Sequence, residues 1–319
     1  MNTGKGQFIR VAALVVLFGV VAFAVISLRD FFGGDGGRRP VALVNFTEIS
    51  AADSHGLRYL VVDDRVHTVF DIGTGQFRCG YAHILDLGKG YFENPGRMLL
   101  VGLGGGSVAR SYAAEGWTVD AVEPDNEITV LARSKFGLEE KDARVHATTA
   151  RDFLAFHGEP YELIIIDAFG SRIVPVPILT EEGLGVIARQ LTDDGVVMIN
   201  LGSVDWHHDI VRSVAATLET QFENILALPM AEPPNTLGYV VLFASNRSLE
   251  LAEEPPTPYD RTTPAYDRFH AWENNFRPDT RDVRVLTNKW SPFGVWVAEM
   301  KAADGMTLDE SRDFPGVAP

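Results

Sequence analysis

Three short stretches of this 319-residue chain close an apolar run with residues able to do chemistry: Met98-Leu-Leu-Val-Gly-Leu-Gly-Gly-Gly-Ser107, Val119-Asp-Ala-Val-Glu-Pro-Asp125 and Tyr161-Glu-Leu-Ile-Ile-Ile-Asp167. Gly102, Gly104, Gly105 and Gly106 remove β-carbons where the backbone must turn sharply and approach a ligand, and the helix that follows offers free amide donors. Glu123, at the end of the next strand, is placed to accept both hydroxyls of a ribose. Asp167 stands where a reacting group would meet the far end of such a ligand. The trio points to a nucleoside. Dinucleotide enzymes share the first two features, although Ser107 occupies the place of their third glycine, and the glycines alone also suit a tight turn with nothing bound.

The elements that must position these residues alternate strand, helix, strand, helix from Pro95 onward. Strands are expected at Leu99–Val101, Val119–Val122, around Val145, at Leu163–Ile166 and at Val196–Asn200, with helices over Ser107–Glu115 and Ile128–Phe136. Continuous apolar runs of this kind read as parallel strands buried on both faces, so the expected fold class is α/β, a doubly wound sheet with ligands outside its carboxyl ends. Ile225–Leu228 and Tyr239–Ala244 could add an antiparallel edge pair. Upstream, from Val41 to about Leu87, alternating runs such as Leu57–Val62 and Val66–Ile72 predict β-hairpins forming a lid or an oligomer contact, a homodimer among the possibilities. Thr180 is a natural cap for a helix opening with Glu181-Glu182, and Asp193-Asp194-Gly195 reads as a turn.

Composition bounds the partners. With 46% hydrophobic residues the chain can bury a full core, while a net charge of −15 and a pI near 4.9 argue against a nucleic-acid backbone as partner. The lone Cys79 excludes an internal disulfide, and adjacent His207-His208 lack the spacing of a zinc site, so no metal is expected. Val11–Leu28 is uncharged, flanked by Lys5, Arg10 and Arg29, and just long enough for a hydrocarbon core of ~30 Å. It predicts an N-terminal transmembrane helix and a single-pass membrane protein with a cytoplasmic body; Ala22-Phe-Ala24 offers the rival reading of a signal peptide. The expected organisation is an anchor and Gly-rich linker over 1–40, a small antiparallel β domain over 41–90, an α/β domain over 91–250, and a Pro-rich linker and tail over 251–319. In that tail, Trp290 is expected to pack.

From about Tyr81 to Ser203 the chain resembles the polyamine aminopropyltransferases, or spermidine synthases, and their membrane-associated bacterial relatives. The ordered pieces are Tyr81, Pro95-Gly-Arg-Met-Leu-Leu-Val-Gly-Leu-Gly-Gly-Gly106, Val122-Glu-Pro-Asp125, Ala143-Arg-Val145, Asp167-Ala-Phe169, Pro175, Leu179-Thr-Glu-Glu182 and Gly195-Val-Val-Met-Ile-Asn200, with a weaker echo at Val285-Leu-Thr-Asn-Lys-Trp-Ser-Pro292. The resemblance implies the class I S-adenosylmethionine methyltransferase-like fold. It also implies transfer of an aminopropyl group from decarboxylated S-adenosylmethionine to a small-molecule amine such as putrescine, without a metal. It makes Asp167 the proton acceptor and Glu123 the ribose ligand, sets Thr149-Ala150 beside the adenine with Pro175 lining the same pocket, and puts Tyr81 on the amine side.

Three positions depart from the family pattern. Gly105 and Thr149 stand where the family carries aspartates, as does Gly170, three residues after the proton acceptor on the substrate side. Each missing charge-assisted contact is worth roughly 1.5–3 kcal/mol, so the departures bear on amine affinity more than on nucleoside binding. Two alternatives follow: a methyltransferase using S-adenosylmethionine on the same fold, and a non-catalytic nucleoside-binding or scaffold protein.

Overall fold

The glycine-rich turn and the two acids are brought together by a seven-stranded sheet. A computed structural model describes residues 48–62, 65–156, 158–168, 178–230, 237–250, 255 and 264–307 of the chain. The central strands are β4 (Arg97–Val101), β5 (Thr118–Val122), β6 (Arg144–His146), β7 (Tyr161–Ile166), β8 (Leu191–Ser203), β9 (Asn224–Pro229) and β10 (Gly238–Ser245), in the spatial order β6-β5-β4-β7-β8-β10-β9. The first five run parallel, while β10 pairs antiparallel with both β8 and β9. The strand order reverses between β4 and β7, and such a switch point opens a crevice at the carboxyl ends.

Period-two alternation divides the sheet residues between two cores. Leu99, Val101, Ile164, Ile166, Val197 and Ile199 pack on one face, and Leu100, Leu163, Ile165, Val196 and Met198 on the other. Helices cover both. Helix α2 (Ser107–Ala114) follows the glycines, α3 (Asn126–Lys135) is capped by the Asp125 carboxylate accepting from the Glu127 N–H, and α4 (Ala150–Phe156) follows β6. The Thr180 hydroxyl accepts from the Gly183 N–H at the start of α5 (Glu181–Ala188), as the sequence suggests, and His208 caps α6 (Asp209–Leu218). The Arg284 guanidinium lies 4.2 Å from the centre of the Trp290 ring, which packs on the first core.

Ahead of this sheet, β1 (Ile49–Ser54), β2 (Leu57–Val62) and β3 (Arg65–Asp71) form a three-stranded antiparallel sheet. The alternating pattern stops earlier than expected. Residues up to Leu87, expected as hairpin, instead enter α1 (Gly80–Leu85) and a 3-10 helix over Asp86–Tyr91, because Ala82, Ile84 and Leu85 must bury one helical face in the second core. The expected turn at Asp193-Asp194-Gly195 is also corrected. Those residues lie within β8, whose register against β7 slips so that Tyr161 pairs with Leu191 and Leu163 with Val196.

The membrane expectation is corrected as well. Among the described residues no helix is long and apolar enough to cross a membrane, so the single-pass localisation is not retained; Val11–Leu28, which carried it, lies outside the described residues. The last two helices are α7 (Pro264–Glu273) and α8 (Phe293–Thr307), in what the sequence marks only as a charged, aromatic tail.

Candidate active site

The turn after β4 is built against Asp167. Gly102 adopts φ +95°, donates its N–H to the Val122 carbonyl at 3.0 Å, and lies so close to the Asp167 carbonyl oxygen that no β-carbon fits between them. The Asp167 N–H in turn donates to the Val101 carbonyl at 2.8 Å. The ends of β4, β5 and β7 are therefore locked to one another by main-chain contacts, and the first two glycines of the expected turn also take left-handed backbone, Gly104 at φ +51°.

Glu123 follows β5 and is only 5% exposed. Its Oε2 accepts the Leu103 N–H at 3.2 Å and its Oε1 the Asp125 N–H at 2.9 Å, which ties the carboxylate to the glycine turn itself. Burial outweighs these two donors and pushes its pKa up to about 7. A carboxylate offers about four lone-pair sites, so two backbone donors leave acceptor capacity for a pair of hydroxyls.

Asp167 follows β7 and receives the Asn200 side-chain N–H on Oδ1 at 2.9 Å. Burial raises its pKa to about 6, with the Asn200 hydrogen bond opposing. Asp167 is thus ionised at neutral pH, yet basic enough to accept a proton. Tyr81, at the start of α1, is partly buried nearby; desolvation chiefly, then the Asp167 charge, holds its phenol well above the usual value. Its ring centre lies 5.2 Å from that of Tyr239. An aromatic ring near a carboxylate, itself packed on a second ring, is chemistry suited to a cation. The Cys79 thiol, pushed up to about 11 by burial, stays protonated and inert.

Thr68 explains one departure. This β3 residue, 2% exposed, accepts the Gly105 N–H on its hydroxyl at 2.9 Å, and a β-carbon on residue 105 would meet its methyl group at 2.6 Å. The space an aspartate side chain would enter at position 105 is filled by Thr68. Thr149 has a local explanation: its hydroxyl donates to the Asp152 carboxylate at 2.7 Å and accepts the Asp152 N–H at 3.2 Å, a reciprocal cap on α4. Ala150 is buried, and Gly106 caps α2 at φ +84°. Gly170 and Pro175 lie outside the described residues.

Three residues of this neighbourhood carry no site role in the sequence reading: Thr68, Asn200 and Tyr239. Asn200 gives the same signal as Glu123 and Asp167, a polar residue closing an apolar run. Thr68 and Tyr239 give none, because their positions depend on contacts between distant segments.

No protein-family model matches the chain. A curated protein of Bifidobacterium longum described as a probable polyamine aminopropyl transferase is 27% identical over 245 residues, covering 70% of this chain and 53% of that protein. A polyamine aminopropyltransferase of Vibrio vulnificus is 29% identical over 151 residues, covering 45% of this chain and 50% of its own length. The chain thus spans about half the length of these curated relatives. The crystal structure of a probable spermidine synthase from Corynebacterium glutamicum superposes with a TM-score of 0.57 at 21% identity, over 63% of this chain and 78% of that one, which establishes the shared fold.

Proposed function

Since the chain is spermidine synthase-like in sequence and fold, we propose that it transfers an aminopropyl group from decarboxylated S-adenosylmethionine to a small amine such as putrescine. In this reading the glycine turn and Glu123 hold the nucleoside, with Thr149-Ala150 beside its adenine, and Tyr81 faces the amine. Residues 91–250 are read as the nucleoside-binding domain, and strands β1–β3 ahead of it as a cover over the glycine turn, supported by the reach of Thr68 to Gly105. Gly170 and Pro175 keep the roles the resemblance implies.

The reaction needs little covalent help. The amine nitrogen attacks the methylene carbon bound to the sulfonium, the C–N bond forms as the C–S bond breaks, and sulfur keeps the electron pair, leaving methylthioadenosine. A protonated amine has no lone pair with which to attack, so the protein's tasks are alignment and proton removal. Asp167 is suited to both, and this is the observation that carries the reading: its backbone packs on the nucleoside turn at Gly102 while its carboxylate, with a pKa near 6, is close enough to the Tyr81 phenol to raise it.

A second reading rests on Gly105. With Thr68 filling the space beside it, the loop offers no acid to the ammonium of an aminopropyl donor, which suits S-adenosylmethionine and methyl transfer. Calorimetric titration of the protein with decarboxylated S-adenosylmethionine, S-adenosylmethionine and methylthioadenosine separates the two. Tighter binding of the decarboxylated donor supports aminopropyl transfer, tighter binding of the intact methionine moiety supports methylation, and no binding of any of the three overturns both.

A further inference from the structure

Asn200 lies toward the carboxyl end of β8, three residues before its close, while Glu123 and Asp167 follow β5 and β7, and alternation puts all three on one face: Ala121, Ile165 and Met198, two residues earlier in each case, share a single core. Asn200 is 1% exposed. Its side-chain N–H donates to Asp167, while its Oδ1 is buried and has no hydrogen-bond partner among the described residues. Buried amide oxygens are rarely left without a donor, and one that is invites a functional explanation. The orientation is set by charge, since an ionised carboxylate only accepts, so the amide must turn its NH2 to Asp167 and leave its oxygen open.

The surroundings indicate what donates to it. Val241 pairs with Asn200 and Tyr239 with Gly202, so Tyr239, two residues from Val241, projects from the same face of the sheet. Tyr239 in turn packs on Tyr81. The unpartnered carbonyl therefore lies on the same face of the sheet as Tyr239, and so beside the aromatic pair. We propose that Asn200 is a substrate-positioning residue: its carbonyl accepts an N–H of the attacking amine while its own N–H, donated to Asp167, orients the carboxylate. The amine part of this inference rests on the aminopropyl-transfer reading. An amine that gives one proton to Asp167 keeps another N–H, and a neutral acceptor beside the base fixes its lone pair toward the donor. The titratable groups that face Asp167 are Cys79 and Tyr81, both held protonated, with the Tyr239 phenol beyond Tyr81, so Asn200 alone among the described side chains favours the ionised form.

The test uses Asn200→Leu, Asn200→Ala and Asn200→Gln in the full chain. With carbon-13-labelled aspartate, the carboxyl resonance assigned through Asp167→Asn should titrate about one unit higher in the Leu and Ala variants, the size of one charge-assisted hydrogen bond, and return toward the wild-type value in the Gln variant. KM for the amine should rise about tenfold in the Leu variant while donor affinity stays within about twofold. An unmoved Asp167 titration in both Leu and Ala variants overturns the proposal. So does a parallel loss of amine and donor affinity, which marks a structural role. If the wild-type protein transfers nothing to any amine, the functional reading fails, and the Asp167 titration still judges the hydrogen bond from Asn200.

Discussion

Gly102 runs so close to the main chain of Asp167 that the carbonyl oxygen of the acid occupies the space a β-carbon on residue 102 would need. The nucleoside turn and the proton acceptor are thus one mechanical unit. Gly102→Ala would combine a left-handed strain at φ +95° with a backbone clash, a loss of about 3 kcal/mol or more in urea unfolding. Donor binding should fall with it. Unchanged stability would mean that the two strand ends are not packed as described.

Asp167→Asn preserves shape and removes the proton acceptor. General-base removal lowers turnover by roughly 10²–10⁴-fold, and the expected outcome is a loss in that range with donor affinity unchanged by calorimetry. A variant that keeps more than half of wild-type turnover would show that the proton leaves by another route.

The raised pKa of Asp167 sets a pH dependence. The ionised form is the active one, so log kcat/KM for the amine should climb with pH, bend near pH 6 and stay level through neutrality, with ionised Asp167 meeting a protonated amine. A profile flat from pH 5 to 7 would contradict the assignment.

How much of this was legible in the sequence depends on how local each feature is. Glu123 and Asp167 stand out because each follows an apolar strand, and the five parallel strands and the antiparallel edge pair fall where the apolar runs put them. Asn200 ends such a run too, but an asparagine there also reads as an ordinary strand end. Thr68 and Tyr239 could not be picked out: Thr68 acts on a main-chain N–H 37 residues away, and Tyr239 reaches the pocket through its register with β8. Residues 80–87 read as hairpin because the preceding alternation hides a short helix whose apolar face becomes meaningful only against the second core. The departure at Gly105 is plain in the sequence, but its physical reason is Thr68, which the sequence does not bring near.

Glu123 should leave a signature in stability as well as in binding. Its folded pKa of about 7 lies above the ordinary 4.5, so its contribution favours the folded state below pH 4.5 and is lost as pH rises toward 7. From about pH 4.5 to 8 the wild-type protein should lose roughly 3 kcal/mol relative to Glu123→Gln, at 1.36 kcal/mol per pKa unit. Urea unfolding of both proteins across that range measures it. The same variant should bind the nucleoside weakly. Parallel pH profiles for the two proteins would show that Glu123 is not buried as described.

The fit of Thr68 against Gly105 can be tested by a double-mutant cycle. Gly105→Ala alone should destabilise by about 1–3 kcal/mol, because its β-carbon would meet the Thr68 methyl group at 2.6 Å. Adding Thr68→Ala, which removes that methyl group, should recover part of the loss, giving a coupling of at least about 0.5 kcal/mol. Additive effects would separate the two residues.

The account stands most directly on what the protein makes. Incubated with decarboxylated S-adenosylmethionine and putrescine, then resolved by mass spectrometry, the full chain should yield methylthioadenosine and an aminopropylated amine in equal amounts, and Asp167→Asn should yield neither above background. Release of S-adenosylhomocysteine from S-adenosylmethionine, with no aminopropylated product from any amine tested, would contradict it.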